Sequence, residues 1–169
     1  MQNIRPATQH DAAALPDIER SSGAAFRQIP HLAWIADDTV TSQQRHEALI
    51  RLGAAWVSHD ASNMLTAFLT AEVREDVLHI WQMSVRSDQQ RKGIGRNLIQ
   101  AAEHWARSRH LVGLSLTTFR DVPWNAPFYR SCGFHDVDPQ FFPALQATLE
   151  AERQAGLPIE QRCAMIWLL

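Results

Sequence analysis

Cysteine is scarce in this sequence, which contains only Cys132 and Cys163. Two cysteines make neither a disulfide framework nor the paired spacing of a zinc site. The eight histidines do not form a ligand pair such as His-x-x-x-His, so we predict that the protein binds no metal. Without a disulfide framework the chain suits a reducing compartment, and we expect the cytoplasm.

Long apolar runs and a strong net charge are also absent. No run reaches the roughly 18 apolar residues that a transmembrane helix needs, and residues 1–5 show no apolar signal-peptide core. The net charge of −2 gives no general basic field, so we expect neither nucleic acid nor a membrane as a partner. Basic residues cluster locally, at 91–96 and 107–109, which suits a small anionic ligand.

The 169 residues are predicted to form one domain, residues 1–169, with a buried core. Hydrophobic periodicity and turn residues predict strands at 3–7, 55–59, 64–73, 77–85, 111–118, 134–137 and 163–169. The same signals predict helices at 12–19, 41–52, 97–109, 123–133 and 143–154, with a loop or short helical turn at 26–36. Helices between strands imply parallel crossovers, and the tight turn at 74–76 implies a hairpin. We therefore predict an α/β (α+β) fold with a mixed, twisted central sheet flanked by helices.

A basic turn with two glycines follows the apolar run 77–85. It comprises Gln90, Arg91, Lys92, Gly93, Ile94, Gly95 and Arg96. Glycine lets successive N–H groups surround one anion, and a helix N-terminus adds partial positive charge. The sequence therefore predicts a phosphate site, to which the three basic side chains would add charge-assisted contacts. The alternative is a basic helix start with two turn glycines.

Two known phosphate motifs fit this turn poorly. A P-loop needs Lys-Ser/Thr after its second glycine, and the Rossmann fingerprint needs a small residue where Leu98 stands. The pattern Gln-x-x-Gly-x-Gly at 90–95 instead resembles the pyrophosphate loop of the GNAT N-acetyltransferase superfamily, which binds acetyl-coenzyme A.

A second pattern strengthens this resemblance. GNAT enzymes commonly carry Asn-x-x-x-Tyr followed by Gly-Phe, and this chain has Asn125–Tyr129 and Gly133–Phe134. Both patterns stand in the element order of the GNAT fold, so the chain is identified as a member of that superfamily. The resemblance covers most of the chain and is weakest before residue 55 and over 141–161.

The resemblance implies transfer of an acetyl group from acetyl-coenzyme A, as co-substrate, to a primary amine by direct attack. Backbone groups at Met83 and Val85 would pair with the pantetheine arm, and an N–H at Met83 or Ser84 would polarise the thioester carbonyl. Residues 90–96 would hold the pyrophosphate. Asn125 would hold the pantetheine arm or a water, or would instead cap its helix.

Tyr129, the only tyrosine, is the candidate acid. A phenol with a pKa of about 10 stays protonated and can donate to a thiolate, whose thiol has a pKa of about 8.5. The alternative is a half-buried tyrosine packed on the core. Candidates for a general base are Glu72, His79 and Glu19, each of which could instead be structural. A water relay, or an amine that binds already neutral, would need no base.

The remaining expectations concern the acceptor and the assembly of the protein. By the resemblance, Phe26, His31, Trp34, Asp37 and Trp124 would contact the acceptor, with Phe141 and Phe142 as further candidates. Glu19 is also a candidate substrate-binding residue. Aromatic walls with an acid nearby suit an organic cation, so we expect a small-molecule amine. The alternatives are a protein or peptide N-acetyltransferase and a non-catalytic coenzyme A sensor. The predicted helix 143–154 forms either a homodimer surface or part of the monomer core.

Overall fold

The computed structural model describes residues 3–169. The strands are β1 Asn3–Pro6, β2 Ala55–His59, β3 Leu65–Arg74, β4 Val77–Val85, β5 Gly113–Phe119, β6 His135–Val137 and β7 Arg162–Leu168. The α-helices are α1 Leu15–Gly23, α2 Gln43–Arg51, α3 Ile94–Ser108, α4 Ala126–Cys132 and α5 Pro143–Gln154. Short 3-10 segments lie at Gln9–Ala14, Ala24–Gln28, Pro30–Asp37, Ser87–Gln89, Pro139–Phe141 and Ile159–Gln161.

The seven strands form one mixed sheet in the order β1-β2-β3-β4-β5-β7-β6. Neighbours β1, β2 and β3 pair antiparallel, whereas β4 pairs parallel with β5 over Val77 to His79. Strand β7 is antiparallel to both β5 and β6. It therefore lies between two strands that run in the same direction. The predicted mixed sheet with flanking helices is confirmed.

The helices around β1 and β2 begin and end where the sequence provides signals. Pro16 stands in the first turn of α1, where a missing N–H costs nothing. The predicted helix over 12–19 is thus a 3-10 turn followed by α1, which continues to Gly23. Ser42 caps α2 by accepting from the Arg45 N–H at 3.2 Å, and Gly53, with φ +82°, follows its end.

Helix α3 is 15 residues long and amphipathic. Leu98, Ala102 and Ala106, four residues apart, are all fully buried, so they form the buried face of the helix. The helix begins at Ile94 rather than at the predicted residue 97. Gly95 stands in the first turn, away from the middle of the helix, where the conformational freedom of glycine would cost more. None of the helices within residues 3–169 combines the length and the apolar character needed to cross a membrane.

The chain divides into two compact units. The first contains the described residues up to Glu72 and Trp81–Trp105. Its core joins Ala12, Leu15, Ile18 and Ile50 to Ala55, Val57 and Phe68 of the sheet. The prediction of one acetyl-coenzyme A-binding domain over 1–169 stays a prediction.

The second unit contains Val73–Ile80 and Ala106–Leu169. Here Leu145 and Leu149 of α5 are buried against Ala164 and Ile166 of β7. The apolar face of α5 thus completes a core within the chain, the second of its two predicted roles.

Candidate active site

The turn between β4 and α3 has the backbone conformation that an anion site needs. Arg91 and Gly93 are both left-handed, with φ of +63° and +80°. Alternating left-handed residues turn successive N–H groups toward one side, and α3 begins directly afterwards at Ile94. The first N–H groups of α3 have no partner within the helix and carry its positive end. The predicted phosphate turn therefore has a geometry that fits a phosphate or pyrophosphate group.

Side chains fasten this turn to its surroundings. The Gln90 amide donates to the Val85 carbonyl at 3.1 Å, which ties the turn to the end of β4. The Ser87 N–H donates to Ser21 Oγ at 3.0 Å, which ties the preceding 3-10 turn to α1. The Gln90 side chain therefore helps to fix the shape of the turn and leaves the backbone N–H groups of the turn to a ligand.

Charges around the turn are balanced locally. Asp88 accepts from the Gln89 amide at 3.1 Å and from two nitrogens of Arg86, each at 3.1 Å. The Gln89 hydrogen bond and the Arg86 charge lower the pKa of the Asp88 carboxyl. The Lys92 ammonium donates to the Asp88 carbonyl oxygen and to Gln89 Oε1. Arg91, Lys92 and Arg96 are exposed to solvent.

The end of β4 carries the residues expected to face the pantetheine arm. Met83 and Val85 are half-buried, and Ser84 is buried. Ser84 Oγ accepts from the Gln82 amide at 3.1 Å, so these two polar side chains of an apolar strand satisfy each other. The backbone roles of Met83 and Val85, and an oxyanion donor at Met83 or Ser84, stay predictions.

Tyr129 lies in α4 within an aromatic cluster. Its ring makes edge contacts with Phe128 and Phe134, with centroids 5.3 and 5.7 Å apart. The side chain is buried, and burial raises the pKa of the phenol above its ordinary value of 10. Gly133, with φ +114°, ends the helix and lets the chain turn into β6. The phenol therefore keeps its proton at neutral pH, as both an acid and a core tyrosine would.

Asn125 stands at the N-cap of α4 and is half-buried. Within the described chain its side chain makes no capping hydrogen bond to the helix. Capping is thus not the use of this side chain here, and a role toward the pantetheine arm or a water stays a prediction.

All three base candidates have structural partners, and two of them, His79 and Glu72, have partners on neighbouring strands. His79 is 1% exposed, its Nδ1 lies 2.9 Å from Ser115 Oγ, and burial lowers its pKa to about 3. A neutral, enclosed imidazole matches the structural alternative for this residue. Glu72 is half-buried and accepts from Trp81 Nε1 at 2.8 Å.

The third candidate, Glu19, has a neighbour that the sequence did not reveal. Its carboxylate accepts from the Thr41 N–H at 3.1 Å, and its Oε2 lies 3.8 Å from Nε2 of His46. His46 is completely buried and edge-on to Phe68, at 5.0 Å. The available signal was its position three and four residues before Leu49 and Ile50, on the buried face of α2.

The residues expected to contact the acceptor fall into both units. Phe26 is half-buried in Ala24–Gln28, whereas His31 and Trp34 are exposed in Pro30–Asp37. Helix α1, which carries Glu19, packs against both of these segments. Trp124 belongs to the second unit and is 36% exposed. The acceptor roles of these residues and of the other acceptor candidates stay predictions.

The second unit also contains a cavity of about 440 Å³ near the N-terminal end of β7. Its lining includes Arg120, Arg130, Asp136, Arg162 and Cys163. Arg130 and Asp136 form a bidentate ion pair, and burial raises the pKa of the Cys163 thiol to about 11. The thiol is therefore protonated and a poor nucleophile. Nowhere in residues 3–169 do three His, Cys, Asp or Glu side chains gather as metal ligands would, and the expectation of no metal stays a prediction.

Comparisons with known proteins bear on the sequence family and the fold. Residues 23–134 match the model of the acetyltransferase (GNAT) family, a span that contains the phosphate turn and the Asn125–Tyr129 pattern. Among solved structures, the fold is similar to that of PaiA N-acetyltransferase from Thermoplasma acidophilum in complex with coenzyme A. The TM-score is 0.71 at 16% identity, covering 100% of this chain and 99% of that one.

Two further solved structures share the fold. One is the ribosomal-protein-S18-alanine N-acetyltransferase from Escherichia coli, with a TM-score of 0.71, 16% identity, and coverage of 99% of this chain and 94% of that one. The other is N-acetylglutamate synthase from Neisseria gonorrhoeae, complexed with coenzyme A and N-acetyl-glutamate. Its TM-score is 0.72 at 16% identity, and the match covers 100% of this chain and 35% of that longer one.

Proposed function

Because the chain belongs to the acetyltransferase (GNAT) family, we propose that it transfers the acetyl group of acetyl-coenzyme A to a primary amine of a small molecule. The observation that carries the proposal is the turn at 90–96. Its two left-handed residues and the start of α3 offer a set of N–H groups to a diphosphate.

The residues of the chain would divide the work as follows. Amides of residues 91–96 bind the pyrophosphate, and backbone groups of Met83 and Val85 pair with the pantetheine arm. An N–H at Met83 or Ser84 stabilises the negative charge that develops on the thioester oxygen. Acetyl-coenzyme A supplies the thioester that reacts with the amine.

The transfer requires one bond to form and one to break. The amine nitrogen attacks the carbonyl carbon, the C–N bond forms, and the C–S bond breaks with its electron pair on sulfur. Tyr129 gives its proton to that sulfur and regains one from water, and the surplus proton on nitrogen leaves to solvent or to a base. Burial keeps the phenol protonated but also makes it a weaker acid, so the support for this role is the place of Tyr129 in the Asn125–Tyr129 pattern.

A small amine is favoured over a protein acceptor by the residues near Glu19. A partly exposed carboxylate, with aromatic residues in the segments that pack on its helix, suits an organic cation. A protein or peptide acceptor is the second candidate. Among proteins of this fold, one is described as an S18-alanine N-acetyltransferase.

The first test is coenzyme A binding by calorimetry, with a pair of matched glycine variants. Gly93 and Gly53 have nearly equal φ, +80° and +82°, and a Cβ at either would meet nothing within 4 Å. Replacement by alanine should therefore strain both equally, by about 1–2 kcal/mol. We expect Gly93→Ala to weaken coenzyme A binding at least about tenfold, because the new methyl group and the displaced N–H groups disturb the phosphate site.

Gly53→Ala is the control and should bind coenzyme A as the wild type does. Equal affinity in all three proteins would contradict the assignment of the turn. The second test measures thiol release from acetyl-coenzyme A with a panel of alkylamines, diamines, phenylalkylamines, amino acid esters, aminoglycosides and short peptides. Reaction with peptides alone would replace the small amine by the protein acceptor.

A further inference from the structure

A buried imidazole in α2, that of His46, has no assigned role. His46 is completely buried, and neither of its ring nitrogens has a hydrogen-bond partner anywhere in residues 3–169. Leaving such a polar group unpaired costs about 1–3 kcal/mol. Unpaired buried groups are rare in folded proteins and require an explanation, such as a ligand or a catalytic arrangement.

The charged group beside this imidazole is the carboxylate of Glu19. His46 Nε2 lies 3.8 Å from Glu19 Oε2, which is too far for a hydrogen bond but within ion-pair range. A small rotation of the Glu19 side chain would close that gap. His46 also makes a T-shaped contact with the ring of Phe68, with the two centroids 5.0 Å apart.

The Glu19 carboxylate is hydrogen-bonded to Thr41 and is also partly exposed to solvent. Its carboxylate accepts from the Thr41 N–H at 3.1 Å and from Thr41 Oγ1 at 3.4 Å. Its side chain retains 16% exposure, so a ligand in solution can reach it. An ionised carboxylate has about four lone-pair sites. Acceptor capacity therefore remains for both His46 and a ligand.

We propose that Glu19 binds the ammonium group of the acceptor amine and that His46 is the positioning residue that holds the carboxylate in place. This inference rests on the proposed function and specifies its substrate as a cationic primary amine. When the amine binds, the carboxylate accepts from the ammonium on its exposed side and from the His46 ring N–H on its buried side. His46 Nε2, one of the two unpaired ring nitrogens, is then satisfied, and the cation lies near the segments that carry Phe26 and Trp34.

The chain offers a matched control in Thr70. Its Oγ1 is buried and also lacks a partner within the described chain. Thr70 is on the same face of β3 as Phe68, because residues two apart in a strand share a face. Removing this hydroxyl tests whether any unsatisfied buried group in this core affects the kinetics.

The experiment measures steady-state kinetics at saturating acetyl-coenzyme A, using the amine with the highest kcat/KM in the panel above. We expect Glu19→Gln and His46→Leu each to raise KM for the amine at least about tenfold, the size of one lost charge-assisted hydrogen bond. KM for acetyl-coenzyme A should stay within about twofold. His46→Gln, which keeps a donor near Nε2, should restore most of the amine KM, and Thr70→Val should behave as the wild type.

If His46→Leu does not fold, the ring nitrogens of His46 are observed directly in ¹⁵N-histidine-labelled protein. Addition of the amine should shift the Nε2 resonance in the wild type and leave it unchanged in Glu19→Gln. The inference is overturned if the variants keep the wild-type amine KM, if only stability changes, or if Nε2 does not respond. A wild type that binds no coenzyme A or releases no thiol contradicts the proposed function instead.

Discussion

The surroundings of Tyr129 determine whether its phenol is protonated. The ring packs edge-on between Phe128 and Phe134, and the phenol is buried. Burial disfavours the charged phenolate, so the pKa rises above the ordinary value. A higher pKa makes a weaker acid, so full proton transfer to a coenzyme A thiolate, the conjugate base of a thiol with a pKa of about 8.5, is uphill; the phenol would first donate a hydrogen bond to the sulfur as the C–S bond breaks. The same burial excludes Tyr129 from acting as a base at neutral pH.

We predict that Tyr129→Phe lowers kcat by about 100-fold, because positioned acids contribute on the order of 10²–10⁴. The affinity for coenzyme A, measured by calorimetry, should not change, since the phenyl ring preserves the contacts with Phe128 and Phe134. The melting temperature serves as the control for packing. Wild-type turnover in this variant would leave Tyr129 as a core residue and remove it from the chemistry.

Some site residues could be predicted from sequence and others could not, for physical reasons. The turn at 90–96 was recognisable because glycine spacing and charge are local properties, and the structure gives left-handed φ at Arg91 and Gly93. His46 was missed because its burial depends on packing against Phe68, which lies in a different element, β3. The partners of His79 and Glu72, Ser115 and Trp81, are likewise set by strand pairing and not by local pattern.

At the level of elements, boundaries were predictable where turn residues enclose a periodic run. Strands β2 and β4 and helix α5 occupy the predicted residues 55–59, 77–85 and 143–154. The neighbours of each strand were not predictable in the same way. Strand β7, the last in the chain, lies between β5 and β6. That pairing joins residues about 50 positions apart, such as Gly113 and Leu168, and no local signal encodes it.

Glycine at the start of β5 is required by this long-range pairing. A Cβ at Gly113 would lie 2.8 Å from the backbone oxygen of Trp167 in β7. That oxygen belongs to the paired strand and cannot move without disturbing the ladder between β5 and β7. The residue is therefore constrained by close approach rather than by backbone conformation.

We predict that Gly113→Ala lowers the free energy of unfolding by about 1–3 kcal/mol, as overpacking does elsewhere. Gly23→Ala is the control: it lies at the end of α1, and a Cβ there meets nothing within 4 Å. It should raise stability by about 0.5–1 kcal/mol, because alanine has less conformational freedom to lose. Urea denaturation measures both, and equal effects would contradict the close approach of β5 and β7.

For the whole molecule, two buried titratable groups make stability depend on pH in different ranges, which overlap only between about pH 3 and 3.8. Burial, with a smaller effect of the Arg74 charge, lowers the pKa of His79 from 6.5 to about 3. The hydrogen bonds from Arg5, which outweigh desolvation, lower the pKa of Asp11 from 3.8 to about 2. In each range between the two values the unfolded chain binds a proton that the folded chain does not, so acid destabilises the fold.

We predict that the free energy of unfolding falls by about 1.4 kcal/mol per pH unit as the pH drops from 6.5 toward 4, since one proton is taken up by His79 on unfolding. Asp11 adds its loss only below its ordinary pKa of 3.8. His79→Gln keeps a hydrogen-bonding group for Ser115 but does not titrate. Its stability should therefore be flat between pH 6.5 and about 5 and should decline only in the range of the carboxylates, which begins with Glu150, whose ordinary pKa of 4.5 is lowered in the fold.

Urea denaturation at intervals of half a pH unit measures both curves. The imidazole resonances of His79 in the folded wild type give a check that does not depend on the variant: they should stay those of neutral histidine down to pH 4. If His79 itself titrates near pH 6.5 in the folded protein, or if the wild-type curve is as flat as that of His79→Gln, the imidazole of His79 is accessible to water. In that case Ser115 and the surrounding sheet would not enclose His79, and its candidacy as a general base would be restored.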